Sequence, residues 1–229
     1  GKSTLLHSLI NSLVYKHTPE RLRLILIDPK RVEFSAYNDL PHLMTSAITD
    51  AKKSAMALKW ATKEMERRYD ILHDTNVMNI ASYHKTIYDR STKTGDGPEA
   101  LPYIVILFDE VSDCMAAYPK ENEEVIVKLA QMGRGVGIHL ILSTQRPSVK
   151  VITGSVKANI SGRFALRVAS QIDSRTIIDK PGAEKLYGQG DMLVSTEDES
   201  HNVRMQGYWI GETEINENNK NRIHELAQQ

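Results

Sequence analysis

Tyr103-Ile104-Val105-Ile106-Leu107-Phe108-Asp109-Glu110 sets an apolar run directly against two acids. The run is far too short to span a membrane and has no polar residue alternating through it. It therefore predicts a strand buried on both faces, with the acids at its carboxyl end. Two other runs share this design. Leu22–Ile27 ends on Asp28-Pro29, and residues 138–143 end in Thr144-Gln145-Arg146-Pro147. A fourth strand is expected over 163–168, with a closing hairpin over 192–194 and 203–209. Between these lie helical patterns. Leu5, Leu6, Leu9, Ile10, Leu13 and Val14 stripe residues 3–16. Residues 50–90 read as mostly helical, most clearly over 51–69. Residues 121–132 form a helix stopped by Gly133, Gly135 and Gly137, residues 92–98 a loop, and residues 214–227 a terminal helix. Strands alternating with helices predict an α/β fold with a mostly parallel central sheet flanked by helices.

The polar residues at the ends of these elements carry the chemistry. Gly1-Lys2-Ser3-Thr4 opens the first helix and matches the second half of G-x-x-x-x-G-K-[ST]. Glycine lets the backbone approach phosphates, and the helix N-terminus turns amides and dipole toward the anion. Lys2 is placed to reach the β- and γ-phosphates, and the Ser3 hydroxyl to ligate Mg²⁺. Asp109 is expected to orient the hydrated Mg²⁺ and Glu110 to polarise the attacking water. Gln145, at the end of the next strand, offers a side-chain amide that can detect the γ-phosphate. Polar groups gathered at the carboxyl ends of parallel strands mark where such folds bind ligands. The joint reading is a P-loop NTPase that uses ATP and Mg²⁺.

Composition narrows the alternatives. The 229 residues carry 29 Lys+Arg against 29 Asp+Glu, which as an average disfavours a basic coat protein or an acidic scaffold. At 41% hydrophobic residues the chain is in the range of folded domains, and a domain of this length needs no disulfide staples. The lone Cys114 gives neither a disulfide nor a zinc motif, which points to a reducing, cytoplasmic setting. No apolar run has membrane length and no signal peptide is present. The chain opens inside the phosphate loop without an initiator Met. It therefore reads as a fragment, with the first strand, half the loop and any membrane anchor upstream.

Longer collinear segments resemble the FtsK/SpoIIIE family of DNA translocases. They include Ile27-Asp-Pro-Lys30, Pro41-His-Leu43, Glu64-Met-Glu-Arg-Arg-Tyr69 and Gly137-Ile-His-Leu-Ile-Leu-Ser-Thr-Gln-Arg-Pro-Ser148. Val151-Ile-Thr-Gly154, Lys157-Ala-Asn159, Asp173-Ser-Arg-Thr-Ile177, Gly182-Ala-Glu184 and Gly188-x-Gly-Asp-Met-Leu193 continue the likeness. The resemblance implies a RecA-like motor domain over residues 1–211, followed by a C-terminal helix or tail over 212–229. It implies a homo-oligomer, a hexameric ring, that pumps double-stranded DNA during chromosome segregation or DNA transfer. Arg134 falls on the family's proposed arginine finger, with Arg163 as the fallback. Arg146 and Lys157 fall in one DNA-facing loop, and Gln171 and Arg175 in a second, where Gln171 replaces a common Lys. Two other substrate classes share the nucleotide core: protein-secretion ATPases and conjugative coupling ATPases. A fourth reading is that the truncated chain is itself inactive.

Residues 133–178 hold seven basic residues against one acid, Asp173, a net of +6 inside a neutral chain. A motor indifferent to sequence should hold phosphates rather than base edges, and Arg and Lys suit that task. Aromatic content of 6% argues against a single-strand binder built on base stacking. Other residues are expected to be structural: His139 in the core, Met56 and Met65 in helix packing. Glu64, Glu66, Arg67 and Arg68 are expected on a solvated face or subunit contact.

Overall fold

The three apolar runs become β1 (Leu22–Ile27), β2 (Tyr103–Phe108) and β3 (Ile138–Leu142), paired in parallel in that order. Ile27 lies opposite Phe108, and Phe108 opposite Leu142, so Asp28, Asp109 and Ser143 leave the sheet at one edge. The protein is described from a computed structural model covering residues 1–91, 97–197 and 201–228. Most of the loop expected over 92–98 lies outside the described residues.

Side chains alternate across the sheet and fill two cores. Ile25, Ile27, Ile104, Ile106 and Phe108 meet α2 (Ala51–Asp74), α4 (Val111–Ala117) and α5 (Pro119–Met132) on one face. Leu22, Leu24, Leu26, Val105 and Leu107 meet α1 (Lys2–Lys16) on the other, together with Phe34 and Tyr37. Coverage on both faces explains why β2 is apolar throughout and β1 apolar except at the half-buried Arg23. After α2, Asn76 turns left-handed, and α3 (Ile80–Tyr83) continues into a π-helical turn over His84–Tyr88. The expected helical region thus holds, with one break. Pro119 starts α5 two residues ahead of expectation, since its missing N–H costs nothing at a first helical position.

The fourth expected strand does not join the parallel sheet. β4 (Arg163–Leu166) pairs antiparallel with β5 (Asp191–Ser195), which pairs antiparallel with β6 (Val203–Gln206). Its residues alternate rather than run apolar. Ala165 sits in a small third core with Ile178, Ala183 and Leu186, while Phe164 is half exposed on the opposite face. One buried and one open face suit an antiparallel sheet. The hairpin strand ends at Gln206 instead of 209, because Gly207 must lie against Gly190 and the Met192 side chain. Between β3 and β5 run α6 (Gly154–Asn159) and α7 (Gln171–Ile178).

The last helix, α8 (Glu212–Ala227), packs on α1. Arg222 Nε donates to the Val14 carbonyl (2.8 Å), Asn219 Nδ2 donates to the Ala36 carbonyl (2.9 Å), and Ile215 enters the α1-side core.

Three structural expectations are corrected. His139 is exposed on β3, the outer strand of the three, and stacks on Tyr103 with ring centroids 6.0 Å apart. Met56 is 61% exposed whereas Met65 is fully buried, because the two lie on opposite sides of α2. Arg68 is also buried. Its guanidinium pairs with Glu64 (2.8 Å) and donates to the carbonyls of Pro102 (2.7 Å) and Val136 (3.0 Å). A buried Arg persists only when its donors are satisfied this way.

Candidate nucleotide site

Gly1 caps α1, and the two following side chains both reach acids. Lys2 Nζ donates to Asp109 Oδ1 (2.9 Å) and to the Asp109 carbonyl (2.5 Å). Ser3 Oγ donates to Glu33 Oε1 at 2.7 Å. Thr4 lies half-buried on the first turn of the same helix. The phosphate-loop residues and the acidic pair, far apart in sequence, thus form one site at the carboxyl edge of the parallel sheet.

The two acids differ in environment. Burial pushes the Asp109 carboxyl up, and its bond to Lys2 offsets only part of that rise. Burial also acts on Glu110, but donors overcome it and hold the carboxyl below its ordinary range. Glu110 Oε1 accepts from the Ser112 amide (3.2 Å), capping α4, and Oε2 accepts from the Gln145 amide (2.8 Å). Glu110 is therefore ionised at neutral pH and physically tied to the end of β3. The Gln145 side chain is exposed beside it.

A second glycine loop closes on the first. A Cβ added to Gly1 would lie 3.3 Å from the Gly190 amide, and Gly188, Gln189 and Gly190 all have positive φ. Asp191 pins this loop: Arg204 donates to both its oxygens (2.9 and 2.7 Å) and the Tyr187 amide adds a third bond (2.8 Å). The Arg204 contact holds the Asp191 carboxyl at about 2. A folded-state value below the unfolded one means the clamp contributes stability above pH ~4 and loses it as pH falls through the folded value. NMR titration of the Asp191 carboxyl carbon is expected to give a midpoint near 2, and Arg204→Gln to raise it. An ordinary midpoint in the wild-type protein would rule out the clamp.

No group of three or more His, Cys, Asp or Glu side chains arranged for a metal occurs among the described residues. A cation here would rest on one or two protein oxygens plus phosphate and water, which is how Mg²⁺ is held. Ser3 and Asp109 supply such oxygens, and Asp28 Oδ1, at the end of β1 in the same sheet edge, is buried with no partner among the described residues. The residues present fit Mg²⁺.

The basic residues lie on other elements. Arg134 is exposed on a 3₁₀ turn, Gly133–Val136, with no ion-pair partner among the described residues. Arg163 is held within its own chain by Asp179 (2.6 Å) and the Ile177 carbonyl (3.1 Å). Lys157 on α6 also pairs with Asp179 (2.6 Å), tying α6 to the end of α7. Gln171 and Arg175 are exposed one turn apart on α7, so they share a face, and Arg146 is exposed after β3. Sequence reasoning missed Glu33, because an acid in a polar loop gives no periodic signal.

Residues 1–149 match the sequence model of the FtsK/SpoIIIE family. A DNA translocase FtsK of Clostridium tetani is 51% identical over 215 residues, covering 94% of this chain but only 28% of that protein. The fold is also similar to the conjugation coupling protein TcpA of pCW3, solved with ATPγS. The TM-score is 0.78 and identity 23%, covering 96% of this chain and 61% of that one. EssC (ATPases 2 and 3) from Geobacillus thermodenitrificans gives a TM-score of 0.79 at 21% identity, covering 100% of this chain and 42% of that one.

Proposed function

The chain belongs to the FtsK/SpoIIIE family, and on that premise we propose that it hydrolyses ATP to drive double-stranded DNA through a ring of identical subunits, a hexamer. The observation that carries this reading is the convergence of Lys2, Ser3, Asp109 and Glu110 at one sheet edge. Lys2 exchanges its Asp109 partner for the β- and γ-phosphates when nucleotide arrives, and the amides opening α1 face the same charge. Ser3, and Asp109 through water, would hold Mg²⁺, which would supply positive charge against the phosphates. Glu110 accepts a hydrogen bond from the attacking water. Its tether to the Gln145 amide makes the end of β3 move with it, so the γ-phosphate contact of Gln145 and the water-holding carboxylate respond together.

Arg134 is assigned the trans role: it is exposed and has no ion-pair partner among the described residues, whereas Arg163 is held by both Asp179 and the Ile177 carbonyl. Arg146, Lys157, Gln171 and Arg175 are assigned to DNA phosphates. Lys157 would exchange Asp179, itself exposed, for phosphate, one ion pair for another. The secretion and conjugation readings draw on likeness of fold alone.

The test is ATP turnover by the intact protein with and without linear duplex DNA. Turnover is expected to rise with duplex and to respond much less to single strands. Turnover unchanged by duplex DNA would remove the motor reading.

A further inference from the structure

Asp28-Pro29-Lys30 ends β1 and starts a loop that returns to α1. Asp28 is 1% exposed, and its Oδ2 accepts from the amides of Glu33 (2.8 Å) and Phe34 (3.0 Å), fixing the turn. The turn delivers Glu33 to the first residues of α1. There Glu33 Oε1 accepts a hydrogen bond from the Ser3 hydroxyl (2.7 Å), and Oε2 meets His7 Nε2 (3.2 Å). Behind His7, Nδ1 lies 2.7 Å from the Tyr37 hydroxyl, which accepts from Asn11 Nδ2 at 3.1 Å. One proton arrangement satisfies the whole chain: Asn11 donates to Tyr37, Tyr37 to His7, and His7 to Glu33.

This geometry has a chemical consequence for Ser3. A serine hydroxyl has one proton and two lone pairs. With the proton committed to Glu33, both lone pairs remain for a cation, and the carboxylate acceptor makes the oxygen more basic. Outer partners of metal ligands act in this way. We infer that Glu33 is a positioning residue for the magnesium that accompanies the nucleotide, orienting the Ser3 hydroxyl as its ligand, and that Asp28 holds Glu33 for this task. The inference rests on the reading of Ser3 as the metal-binding hydroxyl. Asp28 Oδ1 is buried and has no hydrogen-bond partner among the described residues.

The experiment measures the affinity of fluorescent ADP for the intact protein across a Mg²⁺ titration, and again in EDTA. Glu33→Ala is expected to raise the Mg²⁺ concentration for half-maximal tightening by about 10-fold, the low end for loss of an outer partner. Affinity in EDTA should stay at the wild-type value. Glu33→Gln, which keeps an acceptor oxygen but no charge, should fall between. An unchanged Mg²⁺ midpoint in Glu33→Ala, or equal losses with and without Mg²⁺, would overturn the inference. Ser3→Ala separates the two readings. If it leaves the Mg²⁺ midpoint unmoved, the assignment of Ser3 fails; if it shifts the midpoint and Glu33→Ala does not, only the role of Glu33 fails.

Discussion

Glu110→Gln is expected to lower ATP turnover about 10²- to 10⁴-fold, the range for losing a positioned general base, with nucleotide affinity nearly unchanged. The split follows from position. Glu110 meets the nucleotide-contacting residues only through the backbone amide of Gln145; Lys2, Ser3 and the α1 amides carry the binding. Glutamine preserves the shape but has one acceptor where the carboxylate has two. One of the amides of Ser112 and Gln145 must then face an NH₂, which costs roughly 1–3 kcal/mol for a buried unsatisfied donor. A small loss of thermal stability is therefore expected alongside the large loss of turnover, and calorimetry separates the two. The acid limb of the wild-type rate should lie below the ordinary Glu range. The Gln145 and Ser112 amides hold the carboxyl down against burial, so ionisation is lost only as pH falls through that lowered value. Binding that falls as far as turnover would move Glu110 out of the catalytic role.

The elements that could be read from sequence were those whose side chains report their surroundings. β2 is apolar at every position and β1 at every position but Arg23 because both faces are covered, and their acids mark the sheet edge. Gly1-Lys2-Ser3-Thr4 is short, yet it is followed by a helix whose buried stripe, Leu6, Ile10 and Val14, appears in the sequence. What escaped were contacts made at a distance. Arg68 looks like its neighbour Arg67 in sequence, and only the carbonyls of Pro102 and Val136 make it internal. Glu33 is one acid in a loop without periodicity; its role comes from Asp28, which bonds backbone amides that every residue has. β4 belongs to the antiparallel sheet, and the signal for that is its alternation, with Phe164 open and Ala165 buried, rather than its apolar content.

Arg68 also bears on the second large effect. The 3₁₀ turn that carries Arg134 is held from three sides. Arg68 takes the Val136 carbonyl, Tyr69 takes the Met132 carbonyl (2.7 Å), and a Cβ at Gly133 would come within 2.5 Å of the Ile138 carbonyl. Gly137, at φ 79°, then turns the chain into β3. A fixed backbone beneath an exposed, unpaired guanidinium suits a group that must meet a phosphate on another subunit. Charge on the γ-phosphate oxygens grows toward the transition state, and a planar guanidinium meets it at little cost in reorganisation. Arg134→Ala is therefore expected to lower turnover about 10³- to 10⁵-fold, as loss of an arginine finger does. Nucleotide affinity and thermal stability should stay close to wild type, since among the described residues the side chain has no ion-pair partner. The decisive measurement mixes Arg134→Ala subunits with Glu110→Gln subunits. Neither is active alone, but where an Arg134→Ala site faces a Glu110→Gln neighbour, an intact Glu110 meets an intact Arg134, and turnover should reappear above both parents. No recovery on mixing would confine Arg134 to its own subunit.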